Sequence, residues 1–149
     1  MTVVRTSIDI DAPPRAVWDV IMDPERYGDW VTIHRRLGHV DSGGLRKGFE
    51  VEQTLCLHRA NFKVFWALAE LEPPTRSVWE GRGPAGSKAR TVNALAPLDG
   101  GGRTHFDYLN EYTQPGGIFG RVAGRVLVGG LAEREADASL RRLKQQLET

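Results

Sequence analysis

Ser7 to Trp30, SIDIDAPPRAVWDVIMDPERYGDW, reads as a strand, a proline-marked corner, a helix and a second short helix. Val4, Thr6, Ile8 and Ile10 alternate with Arg5, Ser7, Asp9 and Asp11, the period of two expected of a strand with one buried and one wet face. Pro13 and Pro14 end that ladder, because neither can donate an amide hydrogen to a neighbouring strand, whereas proline is tolerated in the first turn of a helix. Val17, Trp18 and Ile21 follow at helical spacing. Asp23-Pro24 stops the helix, since the residue before a proline is pushed out of the helical region. Glu25 to Trp30 then reads as a second short helix carrying Tyr27 and Trp30, two aromatics that need a buried surface.

Outward from this stretch the middle of the chain reads as a meander of strands. Leu37–Asp41 is a short strand ending at Ser42-Gly43-Gly44, and Phe49–His58 is a longer one. Arg59-Ala60-Asn61 forms a turn into Phe62–Leu71, rich in the aromatic and branched residues of a buried strand. Ser77–Arg82, Ala89–Ala96 and Arg103–Thr113 bring the total to seven, the last two joined by Asp99 to Gly102, whose glycines supply positive φ. From Ile118 to about Leu147 the spacing of Phe119, Val122, Val126, Leu127, Leu131, Leu140, Leu143 and Leu147 becomes helical. Unbroken, such a helix spans about 45 Å. Gly129-Gly130 falls in its middle, which reads either as a kink or loose packing, or as room for a ligand or a hinge at its portal.

Composition narrows the function classes. The 149 residues suit one domain spanning 1–149, and no repeat, low-complexity tract or linker marks a boundary. Lys and Arg (20) nearly balance Asp and Glu (19), leaving a formal charge of +1 and no basic footprint for nucleic acid. A lone cysteine, Cys56, excludes an internal disulfide framework and suits a reducing compartment, so the expected location is cytoplasmic. No membrane span or targeting segment is read, and a soluble, unprocessed protein is expected.

Three further segments carry a family likeness: the turn Glu72-Pro73-Pro74, the loop from Pro97 through Asp99-Gly100-Gly101-Gly102 to Thr104, and Glu111-Tyr112-Thr113-Gln114-Pro115-Gly116-Gly117 leading into the long helix. With the opening stretch, in this order and spacing, the chain resembles the START/Bet v1-like (SRPBCC) superfamily, in its bacterial polyketide cyclase/dehydrase-like branch. The likeness covers nearly the whole chain. It implies an α+β helix-grip fold: a curved seven-stranded antiparallel sheet around a long C-terminal helix, two short helices after the first strand, and a cavity for a hydrophobic small molecule such as a lipid, polyketide or aromatic metabolite. Only some members of the superfamily are enzymes. Arg26 to His34 is also similar to members described as toxins of mycobacterial toxin–antitoxin pairs.

Local motifs add little chemistry. Gly81-Arg82-Gly83-Pro84-Ala85-Gly86 matches the dinucleotide fingerprint, but that motif needs a helix after it, and SKARTVNAL reads as a strand, so a hairpin is expected. Gln114-Pro115-Gly116-Gly117 lacks the Lys and Ser/Thr of a phosphate loop and reads as an entry turn. His34, His39, His58 and His105 have no metal-ligand spacing, so neither a metal nor another cofactor is expected. Cys56 lacks activating neighbours and reads as a strand residue.

What remains is strand parity. Thr104, Phe106, Tyr108, Asn110 and Tyr112 share one face of the last strand. The same count turns Val51, Gln53 and Leu55 inward, then Val64, Trp66 and Leu68, then Trp79. These sets suit a small-molecule pocket and equally an ordinary core. Trp30, Asn93, Phe119, Val126 and Gly130 complete the candidate ligand-binding set. If the chain is an aromatase/cyclase or dehydratase, as the resemblance allows, Tyr108 or Arg82 would polarise a carbonyl and His34 would move a proton. No recognisable catalytic pair is formed, however. The open edges of such a sheet also leave a homodimer available.

Overall fold

The computed structural model describes residues 2–113 and 130–149. The opening stretch forms β1 (Thr2–Ile10), α1 (Pro14–Ile21), a 3-10 turn (Pro24–Arg26) and α2 (Tyr27–Trp30). Pro14 occupies the first turn of α1, whose buried side chains are Val17, Trp18, Val20 and Ile21. Asp23 caps the 3-10 turn by accepting the Glu25 amide hydrogen at 3.0 Å.

Six more strands follow: β2 (His34–Val40), β3 (Glu50–Leu57), β4 (Ala60–Glu72), β5 (Arg76–Arg82), β6 (Lys88–Leu98) and β7 (Arg103–Tyr112). They make a seven-stranded antiparallel sheet in the order β1-β7-β6-β5-β4-β3-β2. The meander folds strand upon neighbour, and β1 closes against β7 with Ile8 opposite Phe106 and Ile10 opposite Thr104. A last helix, α3 (Leu131–Glu148), packs across the sheet against β1 and α2. This is the helix-grip α+β architecture. No described helix is long and apolar enough to cross a membrane.

Three details correct the sequence reading. The second strand starts at His34 rather than Leu37, so His34 is a strand residue and not a loop histidine. The turn expected at Arg59-Ala60-Asn61 lies at His58-Arg59, whose φ values of 48° and 66° make a two-residue hairpin with Leu57 opposite Ala60. Gly130 has φ of 80° and precedes α3 as its N-cap, so no unbroken helix runs through it. Phe119, Val126 and the segment Gln114 to Gly117 lie outside the described residues. The Gly81–Gly86 stretch is a β5–β6 hairpin as expected, with Lys88 opposite Arg82.

Apolar packing concentrates where α1, α2 and the C-terminal half of α3 meet the sheet. Ile10, Val17, Trp18, Leu68, Trp79, Phe106 and Leu143 belong to one buried cluster. Thr104 is tied into it by donating its hydroxyl to the Ala12 carbonyl at 2.7 Å.

Candidate functional site

Beyond that cluster the same inward face of the sheet becomes hollow. Tyr108, Asn110 and Tyr112 of β7 border the space, with Leu55 and Leu57 of β3 and Val64 and Trp66 of β4 opposite. Trp30 of α2, then Val31 and Ile33, form one end. The lid is α3, through Ala132, Glu135, Ala136, Ser139 and Leu140, which recur every three or four residues and so share one stripe. Because three of those five side chains are small, the stripe leaves a cavity of about 240 Å³ with a mainly apolar wall.

Trp66 shows how the wall is held. A Cβ on Gly81, its cross-strand partner, would lie 2.7 Å from two carbons of the indole ring and 2.8 Å from Val64 Cγ1. Glycine at 81 therefore serves close packing of Trp66 on β5. The indole N–H of Trp66 donates to Gln53 Oε1 at 3.0 Å, and Gln53 Nε2 lies 3.0 Å from His34 Nδ1. Because an indole N–H is only a donor, the Gln53 amide is oriented and His34 Nδ1 must accept. His34 is thus the neutral tautomer with its hydrogen on Nε2, and burial independently lowers its pKa. Its ring meets Tyr27 edge-on at 6.0 Å.

Polar groups on the wall are few. Burial, only partly offset by a hydrogen bond with Thr91, pushes the Tyr108 phenol up to about 12, so it stays protonated, with its ring edge-on to Phe106 at 6.4 Å. Burial, with the Glu133 charge second, also raises the Tyr112 phenol. Asn110 Oδ1 accepts from the Thr91 hydroxyl at 3.3 Å. The Trp30 indole nitrogen is buried without a hydrogen-bond partner among the described residues; left unsatisfied, such a group costs about 1–3 kcal/mol.

The expected site residues separate into three groups. Trp30, Leu55, Val64, Trp66, Tyr108, Asn110 and Tyr112 border the cavity. Val51, Trp79 and Phe106 face inward but are packed into the filled cluster. Gln53 is occupied bridging Trp66 to His34, and Asn93, donating to Ser77 Oγ at 3.1 Å, is buried between strands with its own Oδ1 unpaired among the described residues. Arg82 is corrected outright: parity puts Gly81 inward, so Arg82 is exposed on the outer face opposite Phe65. His34 is half-buried behind Gln53, not on the cavity wall, and Gly130 caps α3 away from the bordering stripe.

Sequence periodicity does not single out Glu135, Ser139 or Thr32. Thr32 Oγ1 donates to Glu135 Oε2 at 2.5 Å, and its backbone amide donates to Ser139 Oγ at 3.0 Å. Their signal in the sequence is the stripe of small residues Ala132, Ala136 and Ser139, which large-residue periodicity passes over. No cluster of His, Cys, Asp and Glu able to hold a metal occurs among the described residues.

Known proteins match this architecture. The chain is 29% identical over 107 residues, 72% of its length and 74% of the relative's, to a protein named Toxin Rv0910 from Mycobacterium tuberculosis H37Rv. Among solved structures, Zhui aromatase/cyclase from Streptomyces sp. R1128 superposes with a TM-score of 0.80 at 18% identity, covering 99% of this chain and 93% of that one. TTHA0849 from Thermus thermophilus gives 0.77 at 19% identity, over 98% and 97% of the two chains. These structural likenesses show the shared fold. The family model described as polyketide cyclase / dehydrase and lipid transport matches residues 1–148, and the chain belongs to that family.

Proposed function

We propose that this protein binds a hydrophobic small molecule, a lipid, polyketide or aromatic metabolite, between its sheet and α3. The observation that carries this is the cavity of about 240 Å³ walled by Trp30, Leu55, Val64, Trp66 and Tyr108 beneath a helix stripe of small residues. Apolar walls with a few placed polar groups suit such ligands. Native mass spectrometry of the purified protein, with titration by the neutral fluorophore N-phenyl-1-naphthylamine, tests it. A retained small molecule, or fluorophore binding abolished by Ala136→Phe, is expected; absence of both removes the reading.

A second reading, polyketide aromatase/cyclase or dehydratase, is favoured by Tyr108, the one of the three candidate catalytic residues on the cavity wall. Its protonated hydroxyl is suited to polarise a ligand carbonyl. Incubation with a poly-β-ketone tests this, and turnover unchanged in Tyr108→Phe would sink Tyr108 as the donor. A toxin-like role rests on the name of the mycobacterial relative. Co-purification with a small protein partner from the native host would support it, and its repeated absence would count against it.

A further inference from the structure

We infer that the ligand presents a hydroxyl group, an alcohol or phenol, to Glu135, which accepts its hydrogen. This rests on the cavity-binding reading above and names the chemistry that the same cavity selects. Glu135 is the one carboxylate among the residues bordering the cavity, and it forms no salt bridge among the described residues. The other charged residue among the described residues at the border, Lys88, is exposed at the β5–β6 hairpin.

The hydrogen bonds around Glu135 among the described residues set the direction of donation. Ser139 Oγ accepts the Thr32 amide hydrogen at 3.0 Å and lies 3.2 Å from Thr32 Oγ1. The single hydroxyl hydrogen of Thr32 goes to Glu135, to Oε2 at 2.5 Å in preference to the backbone carbonyl at 3.3 Å, so Ser139 is the group that donates between the two hydroxyls. Ser139 thus donates to Thr32 and Thr32 to Glu135, so the chain ends on an acceptor. A carboxylate offers about four lone-pair sites, and Thr32 uses one. On its own helix, the described border residues Ala132, Ala136 and Leu140 donate nothing from their side chains. A ligand carbonyl or carboxylate here would set acceptor against acceptor, while a hydroxyl meets it with a donor. Thr32 also holds the carboxylate in place before the ligand arrives, limiting the ordering cost on binding.

The test is a pair of probes of one shape, 2-naphthol and 2-methoxynaphthalene, titrated into the wild-type protein and Glu135→Gln. Methylation removes only the donor. Wild type should bind 2-naphthol about tenfold more tightly, the scale of a hydrogen bond to a charged acceptor. In Glu135→Gln the side-chain oxygen remains for Thr32 and an amide N–H faces the ligand, so the preference should vanish or reverse. Equal binding of the two probes by wild type, or an undiminished preference in Glu135→Gln, overturns hydroxyl recognition while leaving the cavity reading intact. Failure of wild type to bind either probe or N-phenyl-1-naphthylamine overturns both.

Discussion

The inward face of this sheet has a filled half and a hollow half, built from the same strands with the same parity. On β7, Thr104 and Phe106 are fully buried, and two residues further on Tyr108, Asn110 and Tyr112 border a cavity. On β3, Val51 joins the packed cluster while Leu55 and Leu57 line the hollow, and on β4 Leu68 stands in the same contrast to Val64 and Trp66. The difference lies in the cover. The filled half meets Val17, Trp18 and Ile21 of α1 with Leu143 of α3, whereas the hollow half meets Ala132 and Ala136. Alternation along a strand decides which way a side chain faces. The volume of whatever covers it decides whether the interior closes.

The sharpest way to break this comparison is truncation on either side of the divide. Phe106→Ala should destabilise by about 3–5 kcal/mol, as emptying a dense site does. Leu55→Ala should cost about 2 kcal/mol, because one side of Leu55 already faces empty space and has fewer contacts to lose. Chemical denaturation of the two variants measures both. Equal losses would mean that the hollow half packs like the filled one.

Next in size is Gly81→Ala, which drives a methyl group into Trp66 and Val64 and should cost about 1–3 kcal/mol. Strand propensity alone favours Ala over Gly, so destabilisation isolates the steric clash. The loss should shrink in a Trp66→Leu background, which a double-mutant cycle reads directly. Additive losses would show that Gly81 is not there for Trp66. Ala136→Phe is smaller still for stability, under about 1.5 kcal/mol, because the ring enters existing space. A loss as large as that of Gly81→Ala would mean that the lid has no room beneath it.

Much of this was legible because the fold is written in short-range signals. Period-two alternation, Pro13-Pro14, Asp23-Pro24 and the glycine hairpins place strands and turns without tertiary information. Parity also sorted Tyr108, Asn110 and Tyr112 inward, and it assigns Arg82 to the outer face with Glu80 once β5 is followed to its end. The hairpin at His58-Arg59 escaped because neither residue is the Gly, Asn or Asp that positive φ favours. The split between filled and hollow escaped for a deeper reason. Periodicity registers large side chains such as Leu140 and Leu143, while the cavity depends on Ala132, Ala136 and Ser139, whose effect is visible only once the helix lies on the sheet. Glu135 reads as a solvated helix charge until Thr32 is brought to it from another part of the chain.

The smallest effect concerns the bridge from the hollow half's wall to the start of β2. Trp66, Gln53 and His34 form a directional chain that requires His34 neutral, since a proton on Nδ1 would face the Gln53 N–H. Burial lowers the His34 pKa in the folded protein, so the unfolded chain binds more protons between that lowered value and the unfolded value of about 6.5. Stability from this source is complete above about pH 6.5 and is lost as pH falls through the window below it. Asp9, Asp41, Glu52 and Glu148, whose pKa values are lowered chiefly by hydrogen bonds, also lose stability on acidification. Their window lies lower, beginning near the ordinary carboxylate values of about 4. His34→Gln keeps an acceptor for Gln53 but cannot titrate. Melting temperatures measured from pH 7.5 to 5.5 should therefore fall for wild type and stay nearly level for His34→Gln. Parallel curves would show that His34 tolerates its proton in the folded state, and the chain that orients Trp66 would then not depend on the neutral imidazole.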